Sequence, residues 1–294
     1  VLEFRELVDY WITIGEPVAT IIGGGYISGL WPPGFFLKGK RAKIVLHNLI
    51  EAHVQAYNKI TALDNIDADG DGLTNKVGFT HLMMDVIPAE QSKIFGITTK
   101  DNLEAAKNFS YFTNDYFINA VIEGEEDLNY LNTLQRSNKN SEEFIVHEDW
   151  KNKTDFIGLD YYRRVYVYSN KIVSLTSAKF VGGVPINDLS MANKQPHSIL
   201  NTLGWEIYPK GLYKVIMRIE KQWNGIPIFI TENGVADKHD GYRAPFIVSH
   251  LQQVRRVIDD GSRIIGYLYW SFMDNYEWLD NYRPEGKFGL FSID

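Results

Sequence analysis

The sequence predicts an α/β fold with a parallel sheet, of the (β/α)8 barrel type, with about five of the eight βα units present. Three observations carry this. Short apolar runs alternate with segments of helical periodicity along all 294 residues, and such alternation implies parallel strands covered by helices. Five such runs occur, whereas a closed barrel needs eight strands. The stretches joining runs to helices are long, and barrel enzymes keep their sites in the loops that follow strands.

The first strand covers Trp11–Ile14 and is stopped by Gly15-Glu16-Pro17, because proline has no N–H for a ladder. A helix over Arg41–Ile60 then places Leu46, Leu49, Ile50, His53 and Tyr57 on one face. The second strand, Val77–Met83, is followed by a helix over Asn102–Val121, with Ala105, Ala106, Phe109, Phe112, Tyr116 and Phe117 in a stripe. The third, Phe156–Leu159, leads into Asp160-Tyr161-Tyr162. A helix over Gly211–Trp223 precedes the fourth strand, Ile226–Ile230, which runs into Thr231-Glu232-Asn233-Gly234. The last helix, Arg243–Asp260, offers Phe246, Ile247, His250, Leu251, Val254 and Ile258, and the fifth strand covers Ile264–Trp270. Val1 in place of an initiator methionine, and a stop at Asp294 just after a strand-like run, give the expectation of a fragment.

Composition narrows the partners. The 30 basic and 37 acidic residues leave a net charge of −7, which argues against nucleic acid, since phosphate binding needs a basic surface. No apolar run approaches the ~18 residues of a membrane-spanning helix. Without cysteine there is no disulfide, thiolate nucleophile or cysteine-based zinc site, and cytoplasm and secretion stay equally open. Aromatic residues make up 14% of the chain. They suit sugars, whose C–H faces stack on rings, and equally a well-packed core.

Two glutamates share one design. Glu16 and Glu232 each follow an apolar strand and precede a turn, 216 residues apart (232 − 16). Carboxylates at the carboxyl ends of two parallel strands can face one another across a barrel mouth. Glycoside hydrolysis needs such a pair, one to protonate the leaving oxygen and one as base or nucleophile. The run Trp270-Ser-Phe-Met-Asp-Asn-Tyr-Glu277-Trp278 again follows a strand and joins two indoles to a carboxylate, a mixture fitted either to stacking and vicinal hydroxyls or to the edge of an aromatic core. Asp160 and Tyr162 lie past another strand, where a phenol can hydrogen-bond a carboxylate and keep it ionised.

Other patterns fail their tests. Gly23-Gly-Gly-Tyr-Ile-Ser-Gly29 has Ser28 where a dinucleotide loop needs its third glycine. His47, Glu51 and His53 fall at i, i+4 and i+6, across helix faces, and read as packing residues. The run Asn65–Gly72 resembles a calcium loop, but its twelfth position is Lys76 or Gly78, not the bidentate glutamate. It reads as a solvated acidic turn.

Taken together, the motifs resemble glycoside hydrolase family 1, the β-glucosidase and β-glycosidase family of retaining enzymes on a (β/α)8 barrel. The acid/base signature Thr-x-Asn-Glu-Pro stands here as Thr13-Ile-Gly-Glu16-Pro17, the nucleophile signature as Thr231-Glu232-Asn233-Gly234, and the sugar-binding segment as Trp270 to Trp278. Trp31-Pro-Pro-Gly34, His47-Asn48 with Ala52-His53, Gly204-Trp205-Glu-Ile-Tyr-Pro209 and Phe288-Gly-Leu290 match as well. The resemblance implies a single catalytic domain over residues 1–294, lacking the N-terminal third, that acts on a small-molecule or oligosaccharide β-glycoside and needs no cofactor or metal. It implies Glu16 as general acid/base, Glu232 as nucleophile, Tyr162 as the hydrogen-bond donor to Glu232 and Trp270 as the platform under the sugar. Glu277 would accept hydroxyls at positions 4 and 6, favouring unphosphorylated sugars, and Trp278 would hold the 3-hydroxyl. Trp205 is a further substrate contact, and Asn233 a supporting residue. Two departures stand out. The family's Asn that contacts the 2-hydroxyl is Gly15 here, and the Asn of its Asn-Tyr-Tyr segment is Asp160. A non-catalytic carbohydrate-binding remnant is therefore the alternative to a working enzyme.

Overall fold

The computed structural model describes residues 1–36, 38–89, 99–130, 137–169, 183–185 and 198–293. In chain order the elements are β1 (Tyr10–Gly15), α1 (Gly39–Leu63), β2 (Lys76–Leu82), β3 (Asp85–Pro88), α2 (Thr99–Ser110), α3 (Tyr116–Glu123), β4 (Glu125–Asp127), β5 (Phe144–Val146), β6 (Phe156–Asp160), β7 (Arg164–Ser169), β8 (Gly183–Pro185), α4 (Pro209–Gln222), β9 (Ile228–Glu232), α5 (Arg243–Asp259) and β10 (Ile264–Tyr267). All five predicted strands form. They fall in two compact units, one of residues 1–82 and 111–158, the other of 83–110 and 159–294.

In the first unit β1 lies parallel to β2, with Tyr10 opposite Lys76 and Trp11 opposite Val77. Gly78 lets this layer close up, since a Cβ there would meet the Phe156 ring and carbonyl at 2.7 Å. α1 buries Ala42, Leu46, Ile50, His53, Val54 and Ile60, a stripe at helical spacing. His53 is the packing residue its sequence position implies. It is buried, bonded to the Lys153 carbonyl and the Thr13 hydroxyl, and burial pulls its pKa down to about 4. His47 and Glu51 also take polar partners in the same layer: His47 bonds Glu126 at 3.0 Å and Glu51 accepts the Trp150 indole N–H at 2.6 Å. The acidic turn is bonded to its own backbone. Asp67 accepts the N–H groups of Gly70, Asp71 and Gly72, and Asp9 those of Ala68 and Asp69.

The predicted helix over Asn102–Val121 is two helices separated by a wide turn at Tyr111–Asp115. The cause lies far along the chain. The buried His81 takes the Thr113 carbonyl at 2.8 Å, removing that acceptor from the helical ladder; captured carbonyls of this kind produce wide turns.

In the second unit β9 runs parallel to β10, Ile228 opposite Ile264 and Ile230 opposite Tyr267. β9 begins two residues later than predicted because Pro227 has no N–H, and it extends to Glu232. β10 stops at Tyr267, and Leu268 and Trp270 instead donate to Ile230 and to Asn233 in the turn after β9. α5 buries Arg243, Phe246, His250, Val254 and Val257, while Leu251 and Ile258 are exposed. The buried stripe is thus turned relative to the predicted one. A second sheet, ordered β3-β7-β8, packs Val165 and Val167 against Ala105 and Ala106 of α2. Among the described residues, no helix is long and apolar enough to cross a membrane.

Candidate active site

Glu232 ends β9, and its backbone is pinned by the Tyr161 N–H donating to its carbonyl at 2.9 Å. The Tyr162 hydroxyl donates to Glu232 Oε2 at 2.6 Å. Burial raises the Glu232 pKa above the usual carboxylate value, and the Tyr162 bond opposes it. A phenolic donor favours the ionised carboxylate, so the Tyr162 bond works against the effect of burial on Glu232.

The turn after Glu232 explains its own signature. Asn233 is fully buried. Its amide donates to the Tyr161 carbonyl at 2.6 Å and accepts the Tyr267 hydroxyl at 2.9 Å. Gly234 is required by close approach: a Cβ there would sit 1.9 Å from the Trp270 carbonyl oxygen. Together they fix where β9 delivers Glu232 and where the segment after β10 delivers Trp270.

Trp270 donates its indole N–H to Glu277 Oε1 at 3.0 Å. Burial raises the Glu277 pKa most, the Trp270 bond opposes it, and the charge of Glu232 raises it further. Trp278 is exposed, with a positive φ of 40°. Trp205 and Phe288 flank Tyr162 edge-on, with ring centroids 6.1 and 6.0 Å away. Asp160 ends β6, fully buried, and accepts the Thr231 hydroxyl at 2.7 Å. The second unit therefore gathers Asp160, Tyr162, Trp205, Glu232, Asn233, Trp270 and Glu277 around the ends of β6 and β9 and the segment after β10.

Glu16 belongs to the first unit, one residue past β1. Its N–H donates to the Thr80 carbonyl at 3.0 Å, and its φ of 44° and ψ of 57° are left-handed. The Thr20 hydroxyl donates to its Oε2. Gly15 has room for a side chain, since a Cβ would meet only the Thr80 hydroxyl, at an ordinary 3.5 Å.

Some contributors escape the motifs. Thr20 looks like an ordinary residue beside Glu16, and Thr231 opens the nucleophile signature without a role assigned to its own hydroxyl. Arg243 opens α5 almost fully buried, giving its guanidinium to the carbonyls of Val235, Asp237 and Phe288 and to the Tyr269 hydroxyl. Its only signal in the sequence is an arginine at the head of an otherwise apolar helix face.

The model of glycosyl hydrolase family 1 matches residues 1–294. The chain belongs to that family. It is similar to a β-galactosidase of Saccharolobus solfataricus, 32% identical over 99% of this chain and 52% of that protein. It also resembles the 6-phospho-beta-galactosidase 1 of Streptococcus pneumoniae, 28% identical over 99% of this chain and 63% of that one. Among solved structures it is similar to a family 1 β-glucosidase from Thermotoga maritima, with a TM-score of 0.75 at 24% identity, covering 100% of this chain and 60% of that one. The likeness shows the fold, an α/β chain of the (β/α)8 barrel type spanning part of such a protein. The family 1 chain spans little more than half the length of its first archaeal relative.

Proposed function

We propose that residues 1–294 act as one catalytic domain of a retaining β-glycosidase, working on unphosphorylated β-glucosides or related β-glycosides. The observation that carries this is the Glu232 carboxylate at the end of β9, half-buried and held by the Tyr162 hydroxyl at 2.6 Å, beside the Trp270–Glu277 pair. Glu232 attacks the anomeric carbon while Glu16 gives its proton to the departing oxygen. Water then attacks the glycosyl ester as Glu16 takes a proton back, so the sugar leaves with its β configuration. Glu277 supports the preference for unphosphorylated sugars, because a carboxylate repels phosphate. Proton NMR of the first product released from an aryl β-glucoside tests the stereochemistry. The β anomer is expected first, and an α anomer first would mean inversion and sink the reading.

Gly15 favours the second reading, a binding remnant that no longer turns over, because it offers no side chain to the 2-hydroxyl. Contacts there strengthen as the ring flattens toward the oxocarbenium ion, and only such contacts raise kcat. The space at Gly15 admits a side chain. Gly15→Asn is expected to raise kcat/KM on β-glucosides at least about tenfold, or ~1.4 kcal/mol, and far less on 2-deoxy substrates. Equal gains on both would assign the effect to a stiffer backbone.

A further inference from the structure

Two carboxyl groups, one fully and one partly buried, stand at the ends of neighbouring strands in the second unit. The Asp160 and Glu232 side chains bring carboxylate oxygens within 4.8 Å of each other. Main-chain bonds impose the spacing: Met83 N–H donates to the Asp160 carbonyl at 3.0 Å, and Tyr161 N–H to that of Glu232 at 2.9 Å. The two side chains therefore project from backbone held in place, and the Thr231 and Tyr162 hydroxyls hold their carboxyl ends. Two carboxylates this close, out of bulk water, repel strongly enough that the pair retains a proton.

The surroundings say which group keeps it. Glu232 is only partly buried, and it receives a phenolic O–H at 2.6 Å, a donor that rewards the anion. Asp160 is fully buried, so ionising it forfeits more solvation. Its Thr231 partner at 2.7 Å is a hydroxyl, which donates to a carboxylate or accepts from an acid with equal ease. The other titratable groups around the pair are Tyr162, on Glu232, and Glu277, whose charge reaches Glu232; on the proposed reading Glu16 joins them. Each further negative charge makes ionising Asp160 harder.

We propose that Asp160 works as the neutral acid, a positioning residue that takes the shape and charge of a carboxamide so that Glu232 alone carries the negative charge. The inference rests on Glu232 being the nucleophile. It gives a reason why a carboxyl is tolerated beside one: a protonated aspartic acid has the outline of asparagine, with one donor and one acceptor. The proton stays on Asp160 through both displacements, and no bond to it forms or breaks.

Infrared difference spectra at neutral pH, wild type minus Asp160→Asn, test this on the full chain without turnover. A C=O stretch of a protonated carboxyl, lost in the variant, is expected. A carboxylate band lost in its place would overturn the proposal. The pH at which the band disappears is then followed in Glu232→Gln, where the neighbouring charge is gone. Without the repelling charge Asp160 ionises more readily, so the band should vanish at a lower pH than in wild type. An unmoved midpoint overturns the coupling. If Asp160→Asn fails to fold, isotope-edited spectra of aspartate-labelled wild type and Glu232→Gln give the same comparison. An inactive chain leaves this result intact, and an ionised Asp160 leaves the glycosidase reading standing.

Discussion

Glu232→Gln is expected to lower turnover of an aryl β-glycoside by at least about a thousandfold, or ~4 kcal/mol of barrier. Glutamine keeps the volume and can still accept the Tyr162 hydroxyl, so the turn locked by Asn233 and Gly234 has no reason to move. What it lacks is a nucleophilic oxygen anion, and with it the glycosyl ester that splits one hard displacement into two. Steady-state rates on an activated substrate measure the loss, and mass spectrometry of protein treated with a 2-fluoroglycoside locates the ester. A label surviving in Glu232→Gln, or a rate within tenfold of wild type, would remove Glu232 from the role.

Acid should unfold the protein through its histidines. His53, His81 and His250 are all fully buried, and burial pulls each pKa from 6.5 down to about 4. The folded state therefore keeps them neutral where the unfolded chain has already bound protons. Their stabilisation is present above the unfolded value of 6.5 and is lost as pH falls from there toward 4. Each is expected to withdraw about 2 kcal/mol between pH 7 and pH 5. The three together approach the total stability of an ordinary domain, ~5–15 kcal/mol. Thermal melts at pH 7, 6 and 5 should show a steep fall in Tm, and His250→Phe, stacked on Phe246 at 3.8 Å, should flatten it. A Tm independent of pH across that range would mean the rings are protonated in place.

The strands were legible because each is a short apolar run closed by residues that end pairing, and the same closure puts Glu16 and Glu232 at strand ends. The break at Tyr111–Asp115 was not, because it depends on His81 capturing a carbonyl 32 residues away. The buried face of α5 was misjudged for a similar reason: Leu251 and Ile258 suit a core in themselves, but their neighbours decide exposure. β3 is too short to stand out, four residues ending in proline, whereas β7 alternates valine with tyrosine, a strand pattern that the five predicted runs leave out. At the site, the carboxylates and indoles stand in recognisable runs. The roles of the hydroxyls that hold carboxylates, on Thr20 and Thr231, and of the Tyr267 hydroxyl that holds Asn233, show only once the backbone has folded.

Glu16 sits on a left-handed backbone, a conformation that glycine adopts freely and that costs other residues about 1–2 kcal/mol. Asparagine and aspartate tolerate it best, yet neither has the reach of glutamate, which extends one methylene further from the chain. Comfort and reach thus pull this position toward different residues, and reach has prevailed. Residues that a fold would choose for its own ease are poor guides to such a position. On the proposed reading, that misfit is what aiming a proton donor at a bound sugar leaves in the backbone.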